Sequence, residues 1–279
     1  MNVHNIISEI EKVDPEVYDR LDSRRSAMQG FAKIGGRLAL AAIPLALGGM
    51  FKKAYGQSTT SILDVLNFAL TLEYLEAEFY TKAVAAPGLI PAGAATGAIT
   101  TIRDHENAHV AFLKSAITAS GGTPVAKPTF DFSAGNGSGT GPFANVFTNY
   151  GTFLAVAQTF EDTGVRAYKG QAANLMSNND VLTAALDIHS VEARHASHIR
   201  QMRRAFTAST TLKPWITGKN SEIGPAVQAS YDGEELTTQA GVNIVNINGK
   251  SISADAASEA FDEPLTKAQV LNIVDPFIV

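Results

Sequence analysis

One four-residue pattern occurs twice in this chain, and it constrains the fold more than any other feature. Glu106 and His109 are three residues apart, and so are Glu192 and His195. Residues three apart on an α-helix lie on one face, about 5–6 Å apart at Cβ, so a carboxylate and an imidazole can reach one ion. The repeat therefore predicts two helices that each present a Glu and a His to the same side.

A single glutamate precedes each copy at a similar distance. Glu73 stands 33 residues before Glu106, and Glu161 stands 31 residues before Glu192. The two spans predict two helical hairpins of similar design, and the acidic residues and histidines fall on apolar stripes of helical period. The first stripe contains Leu66, Leu70, Glu73, Ala77 and Tyr80. The sequence thus predicts an all-α four-helix bundle with these groups in its core.

Four carboxylates in one apolar core lose their hydration and repel each other, which is very unfavourable without a cation. Some four-helix bundles hold two divalent metals with one Glu from each of two helices and a Glu-x-x-His from each of the other two. We therefore predict a di-metal site whose ligands are Glu73, Glu106, His109, Glu161, Glu192 and His195. The alternative is a structural ion network in which the acids pair with Arg103, Arg166 or Arg194.

The segment from Leu66 to Tyr80, LNFALTLEYLEAEFY, resembles the ferritin-like superfamily, in particular its ferritin-like-domain and desiccation-related branch. The resemblance covers residues 61–206 and implies a di-iron bundle with oxidase, ferroxidase or peroxidase chemistry. A Tyr seven residues after the first Glu of each half, Tyr80 and Tyr168, is similar to rubrerythrins and bacterioferritins. We expect these tyrosines to carry electrons or to hydrogen-bond a ligand carboxylate; the alternative is a purely structural role in the core.

The chain departs from that superfamily behind the predicted ligands. In many of its members an Asp precedes each Glu of the Glu-x-x-His pairs and supports the His of the facing helix, whereas His105 and Val191 occupy these positions here. Such partners orient a ligand and change metal affinity by about 10–100-fold. The alternative supports in the sequence are Asp104, Asp162 and Asp187.

Several further polar residues lie near the predicted ligands. Glu76 lies one turn after Glu73. The sequence allows three interpretations of it: an additional metal ligand, a proton carrier or a solvated side chain. The other histidines lie off the apolar stripes, and we expect them at the surface or behind the ligands: His105, His189 and His198.

Composition limits the partners of the chain. The 22 Lys and Arg residues against 27 Asp and Glu give a net charge of −5, so there is no basic excess for nucleic acid. The absence of cysteine excludes disulfides, iron–sulfur clusters and thiolate-bound iron. Electrons for a redox reaction must therefore come from an external donor.

Residues 1–57 resemble a twin-arginine export signal. Ser23-Arg24-Arg25 precedes an apolar run from Leu38 to Phe51, and Ala54-Tyr55-Gly56 offers small residues for cleavage. The run has 14 residues, fewer than the ~20 that span a bilayer. We predict a periplasmic or otherwise exported protein; the alternative is that the segment is retained and associates with the membrane.

We assign residues 58–208 to the bundle and residues 209–279 to a small mixed C-terminal extension. The Gly- and Ser-rich stretch from Pro124 to Pro142 is long enough for a crossover between the second and third helices. In the extension, Val242–Ile247 and Lys250–Ser253 predict a hairpin around Asn248-Gly249. A capping box from Thr266 to Gln269 predicts a short last helix. We expect the extension to cover one end of the bundle, shape access to the site or form an oligomer contact.

The predicted function is that of a ferritin-like di-metal oxidoreductase that reacts with dioxygen or peroxide in oxidative or envelope stress protection. We expect two iron ions; two manganese ions, as in a manganese-catalase-like enzyme, are the alternative because carboxylates and imidazoles suit both metals. A non-catalytic, partner-binding envelope stress protein with a structural metal site is the alternative of a different class. A homo-oligomer is compatible with each of these functions.

Overall fold

Four long helices form the bundle that the apolar stripes predict. A computed structural model describes residues 59–279, in which the bundle helices are α1 (Thr59–Ala85), α2 (Ala94–Ala119), α3 (Tyr150–Ala172) and α4 (Asn179–Thr207). α1 packs along α2 and α3 along α4, so each predicted hairpin is present. The all-α fold class is therefore confirmed.

The predicted export signal, residues 1–57, lies outside the described residues. Within residues 59–279, no helix combines the length and the apolar character that crossing a membrane requires.

Asparagine caps and left-handed residues set the limits of the bundle helices. The Asn149 side chain accepts a hydrogen bond from the Thr152 N–H at 2.9 Å, and Asn178 caps the start of α4 in the same way. Gly121, at φ 76°, follows the end of α2, and Ala208, at φ 51°, ends α4. The caps thus fix the start of α3 at Tyr150 and that of α4 at Asn179.

Residues 120–149 form the long crossover between the two hairpins, and they contain no helix. The Asp131 side chain closes their glycine-rich part by accepting the N–H groups of Ser133, Gly137 and Gly139. The C-terminus of the chain pairs with this crossover, because the Asp131 N–H donates to the Phe277 carbonyl at 2.9 Å. The last residues therefore hold the crossover against the bundle.

The C-terminal extension is anchored in the bundle by buried charges. Arg200 of α4 forms two hydrogen bonds with Asp162 of α3, at 2.9 and 2.5 Å, and the Tyr231 hydroxyl donates to the same carboxylate at 2.7 Å. Arg166 pairs with Glu234 at 2.6 Å and donates to extension carbonyls. Because Arg166 and Arg200 are both almost fully buried, the extension is part of the folded core.

The turn of the hairpin predicted in the extension is present, but the prediction of its two strands is wrong. Asn248 and Gly249 have positive φ, 54° and 70°, and the Ile247 carbonyl accepts the Lys250 N–H at 3.0 Å. Asn246, just before the turn, is also left-handed, so the chain bends away instead of continuing as a strand. The observed strands are β1 (Thr238–Gln239) and β2 (Val242–Asn243), so the start of the first predicted strand pairs with an earlier segment.

Two short helices complete the extension, α5 (Ala254–Ser258) and α6 (Lys267–Val274). The predicted capping box is present: the Thr266 side chain accepts the Gln269 N–H, and the Gln269 side chain accepts the Thr266 N–H. α6 packs against α3, which places the end of the chain beside the bundle core.

Gly170 of α3 marks a close approach of the extension to the bundle. A Cβ atom at Gly170 would lie 1.9 Å from the Leu265 carbonyl oxygen, whereas one at Gly97 of α2 would meet nothing within 4 Å. We expect Gly170→Ala to lower the free energy of unfolding by about 2–3 kcal/mol, because backbone must move to admit the methyl group. Gly97→Ala, the matched control, should raise it by about 0.5–1 kcal/mol. Urea unfolding measures both, and equal effects would contradict the close packing.

Candidate metal centre

The bundle brings the six predicted ligands together in its core. α1 supplies Glu73, α3 supplies Glu161, and α2 and α4 each supply a Glu and the His three residues later. Each of the four carboxylates is 0% exposed, and the two imidazoles are buried with them. Their positions follow from the helical period, because the apolar stripe that contains each acid faces the core of the bundle.

The six side chains form two overlapping groups. In each group, the possible ligand atoms of four residues all lie within 4.8 Å of one another. Both groups contain Glu106 and Glu192. Glu73 and His109 complete one group, and Glu161 and His195 complete the other. Two shared carboxylates with one further carboxylate and one imidazole on each side could hold a pair of ions.

Unsatisfied polar atoms show that this donor set fits metal ions. Several buried atoms of the cluster form no hydrogen bond, including both Glu192 carboxylate oxygens, Glu161 Oε2 and His195 Nδ1. His195 Nδ1 is only 2.8 Å from Glu106 Oε1, yet the two are not aligned as donor and acceptor. Buried acceptors without partners are costly, and lone pairs that converge on a common region are satisfied by a cation.

Burial and mutual repulsion shift the pKa values of the cluster without metal. Burial, followed by the charge of Glu192, raises the pKa of Glu106 to about 7. Burial likewise raises the pKa of Glu161 to about 8. Burial opposes ionisation of Glu192, but the adjacent imidazoles of His109 and His195 outweigh it and lower the pKa of Glu192 to about 2. The surrounding carboxylates overcome burial and raise the pKa of both histidines. The metal-free cluster thus retains protons at neutral pH.

We expect these protons to leave when a divalent metal binds, because a ligand must be deprotonated. At pH 6 the carboxyls of Glu106 and Glu161 are protonated, whereas at pH 9 they are ionised before metal is added. Metal binding should therefore release about two more protons per chain at pH 6 than at pH 9, and affinity should fall as pH falls through 8 and 7. Calorimetry in buffers of different ionisation enthalpy counts the protons. Equal release at both pH values would contradict the raised pKa values.

Two tyrosines hold the carboxylates that the groups do not share. The Tyr80 hydroxyl donates to Glu161 Oε1 and the Tyr168 hydroxyl to Glu73 Oε1, each at 2.5 Å. Each bond joins the first hairpin to the second. Burial, followed by the adjacent carboxylate, raises the pKa of both tyrosines well above the usual range, so both stay protonated donors. The predicted hydrogen bond between a tyrosine and a ligand carboxylate is therefore present on both sides.

The two histidines differ in what lies behind them. His105 Nδ1 is 2.9 Å from His195 Nε2, and the rings stack with an angle of 13°. Within residues 62–279, His109 Nε2 has no corresponding hydrogen bond. His105 thus takes the place in which the superfamily often carries an Asp, and Val191 cannot do the same for His109 because its side chain has no polar atom.

The three aspartates that the sequence offered as alternative supports lie away from the cluster histidines. Asp104 is exposed and bonds its neighbour Arg103, Asp162 pairs with Arg200, and Asp187 is exposed. In the part of the chain from residue 62 on, no arginine pairs with a cluster carboxylate: Arg103 and Arg166 have other partners, and Arg194 is exposed. An arginine network therefore does not neutralise the acids.

Of the remaining residues near the cluster, Glu76 is the most buried. It is 3% exposed, so the solvated alternative is wrong, and it belongs to neither group of possible ligands. Gly164 of α3 lies against it: a Cβ there would lie 3.4 Å from Glu76 Oε1, an ordinary contact distance. Burial, followed by the charges of the cluster carboxylates, raises the pKa of Glu76 well above its usual value.

His189 and His198 lie away from the cluster contacts. His189 is half-buried and its Nδ1 has no hydrogen-bond partner, while His198 lines a groove at the far end of α4 with Met202 and Phe206. Neither belongs to the two groups of possible ligands.

Comparison with known families agrees with this geometry. A family model described as a ferritin-like domain matches residues 61–205, slightly more than half of the chain. The chain belongs to the ferritin-like family. The ferritin-like match runs from α1 to α4, so it includes all six cluster residues and leaves out the C-terminal extension. No curated protein matches the chain.

Proposed function

We propose that this ferritin-like protein is a di-iron oxidoreductase that reacts with dioxygen or peroxide. The observation that carries the proposal is the convergence of buried, unsatisfied ligand atoms into two groups that share Glu106 and Glu192. Two ferrous ions held there would supply two electrons, which with two protons reduce dioxygen to hydrogen peroxide, or peroxide to two water molecules. Glu106 and Glu192 would contribute to both positions, so that two ions could act on one small oxidant.

The residues around the proposed ligands have separate tasks. Tyr80 and Tyr168 hold the unshared carboxylates in place through their hydroxyl groups. Burial and the charges of the cluster carboxylates raise the pKa of Glu76 and so favour its protonated form, which suits the role of a proton carrier. α6 excludes water from this side, since Ile273 and Val274 close the small cavity that Glu76 lines.

Metal content per chain tests the proposal. Full-length protein purified without an affinity-tag metal and loaded with iron or manganese should hold about two ions per chain, and Glu106→Ala should hold almost none. Glu78→Ala is a matched control on α1, because Glu78 pairs with surface Lys82 and lies outside both groups. Iron should then be oxidised on addition of dioxygen or peroxide.

The same assay separates the alternatives. Tight binding of manganese, with disproportionation of peroxide, would favour the manganese-catalase-like enzyme. A folded wild-type protein that takes up neither metal would overturn the proposal and leave the non-catalytic envelope stress protein.

We expect the two metal positions to differ in affinity. His105 orients His195, whereas His109 lacks such support among the described residues. His105→Ala should weaken one of the two positions by about 10–100-fold and leave the other unchanged. Stepwise titration with ferrous or manganous ions, with His198→Ala as control, measures the two affinities. A uniform loss at both positions would contradict a specific role for His105.

Export, an external electron donor, self-association and a role in envelope stress remain proposals that rest on the sequence. The motif around Arg24 and Arg25 supports the twin-arginine route, and membrane association is the alternative if the segment is retained. Replacing both arginines with lysine and following the protein by cell fractionation tests the route. Unchanged export in this variant would contradict it.

A further inference from the structure

The core layer next to the cluster contains an apolar cavity of about 20 Å³. It lies between the N-terminal half of α1 and the facing parts of α2, α3 and α4. Its lining is almost entirely hydrocarbon and includes Ala69, Leu72, Leu113, Tyr168, Ala184 and Ile188. A cavity of roughly 10–15 Å³ holds one water molecule, so this one has room for a single small guest.

Small side chains produce this space. Alanines at five lining positions stand among leucines and phenylalanines, namely Ala69, Ala116, Ala167, Ala184 and Ala185. On the other side of the cluster the core is filled by aromatic rings: Phe79 contacts Phe153 and Phe160 with ring centres 5.2 and 5.1 Å apart. The alanine-rich layer therefore leaves apolar space next to the cluster.

The cavity lies one helical turn from the proposed ligands. Ala69 is four residues before Glu73, and Leu113 is four residues after His109. Residues four apart on a helix lie one above the other on one face. The Tyr168 ring lines the cavity while its hydroxyl bonds Glu73, so one side chain separates the cavity from the cluster.

The cavity lies near the surface on one side. Phe112 of α2 and the pair Ala184 and Ala185 of α4 line it and are only half-buried, whereas the lining residues beside the cluster are buried. We therefore expect a small guest to enter on the side between α2 and α4.

We propose that this cavity is a binding site for dioxygen on its way to the di-metal centre, an inference that rests on the proposed function. A hydrocarbon lining favours an apolar guest, and apolar cavities of this kind stay dry and take up xenon. Hydrogen peroxide would lose its hydrogen bonds to water on entering, which costs about 1–3 kcal/mol per hydroxyl by protein mutational data. The cavity thus selects dioxygen over peroxide as the oxidant delivered by this route.

Xenon, an apolar atom that reports such cavities, is the direct probe. Metal-free full-length protein should bind xenon between Ala69, Leu113 and Ala184 in crystals under xenon pressure. Ala184→Leu should exclude it, and Ala69→Val serves as a second filling variant if the first is unstable. Ala98→Leu, on the other end of α2, is the matched control and should bind xenon as the wild type does.

The iron-loaded proteins give the second measurement. Ala184→Leu should slow oxidation by dioxygen by roughly tenfold, equivalent to about 1.4 kcal/mol of activation free energy, and leave oxidation by peroxide unchanged. Absence of xenon from the wild type, or equal effects on both oxidants, would overturn the proposal. Metal analysis of the same samples distinguishes a failure of the cavity proposal from a failure of the proposed function. If Ala184→Leu holds two irons and reacts with dioxygen at the wild-type rate, the cavity proposal alone is overturned. If the wild type holds no metal, the proposed function is overturned.

Discussion

Glu192→Gln is expected to abolish binding of both metals, whereas Glu161→Gln is expected to abolish one. Glu192 belongs to both groups of possible ligands, and neither of its buried oxygens has a hydrogen-bond partner. Glutamine has nearly the same shape, but it lacks the negative charge and turns an N–H donor toward a cation. Glu161 belongs only to the His195 group, so its loss leaves the Glu73 and His109 side complete.

Metal analysis measures this difference directly. We expect about two ions per chain in the wild type, about one in Glu161→Gln and close to none in Glu192→Gln. Thermal unfolding gives a second readout, since a ligand at 100 times its Kd stabilises the folded state by about 2.7 kcal/mol. That metal-dependent gain should vanish in Glu192→Gln and persist in the surface control Glu78→Gln. Two ions retained in Glu192→Gln would contradict the shared-ligand arrangement.

Asp162→Asn is expected to lower the free energy of unfolding by about 3–5 kcal/mol, because it leaves a buried guanidinium without its counter-ion. Arg200 is 2% exposed and Asp162 is 3% exposed, and Tyr231 also donates to this carboxylate. One substitution therefore disturbs the contact of α3 with α4 and the anchor of the extension together. Urea unfolding of the metal-free protein measures the loss.

Two variants make this prediction specific. Asp187→Asn, on the exposed face of α4, should change the free energy of unfolding by less than about 0.5 kcal/mol. The double variant Asp162→Leu with Arg200→Met should be less destabilised than Asp162→Asn, because replacing both partners with apolar groups removes the charges instead of stranding one. A loss in Asp162→Asn no larger than that in Asp187→Asn would mean that the pair does not anchor the extension.

The bundle was predictable from sequence because its determinants are local and periodic. The apolar stripe through Glu73 already predicted which face of α1 is buried, and the Glu-x-x-His repeats placed a carboxylate and an imidazole together on α2 and α4. The box at Thr266 and Gln269 predicted the start of α6 for the same reason, since both partners lie within one turn. The strands around Asn248 failed because the turn dipeptide sets only the turn, and pairing of the flanking residues depends on what they can pack against.

The support for the ligands was not predictable from the stripes. His105 lies off the stripe of α2, and only the approach of α4 brings His195 to 2.9 Å from it. The same holds for Glu76: its helix position allowed a solvated side chain, and it is buried because α3 and α6 pack against it. Contacts between segments that are distant in the sequence produce no regular spacing of residues, so a sequence pattern does not reveal them.

The sequence by itself determined the helices, the inward faces and the six residues that meet in the core, because helical period links spacing along the chain to direction in space. Only the tertiary structure decided that Glu106 and Glu192 belong to both groups of possible ligands. It also decided that tyrosine hydrogen bonds join the two hairpins and that the extension closes one side of the cluster. These features depend on how separate helices dock, which is set by packing and by burial of Arg166 and Arg200 rather than by any local pattern.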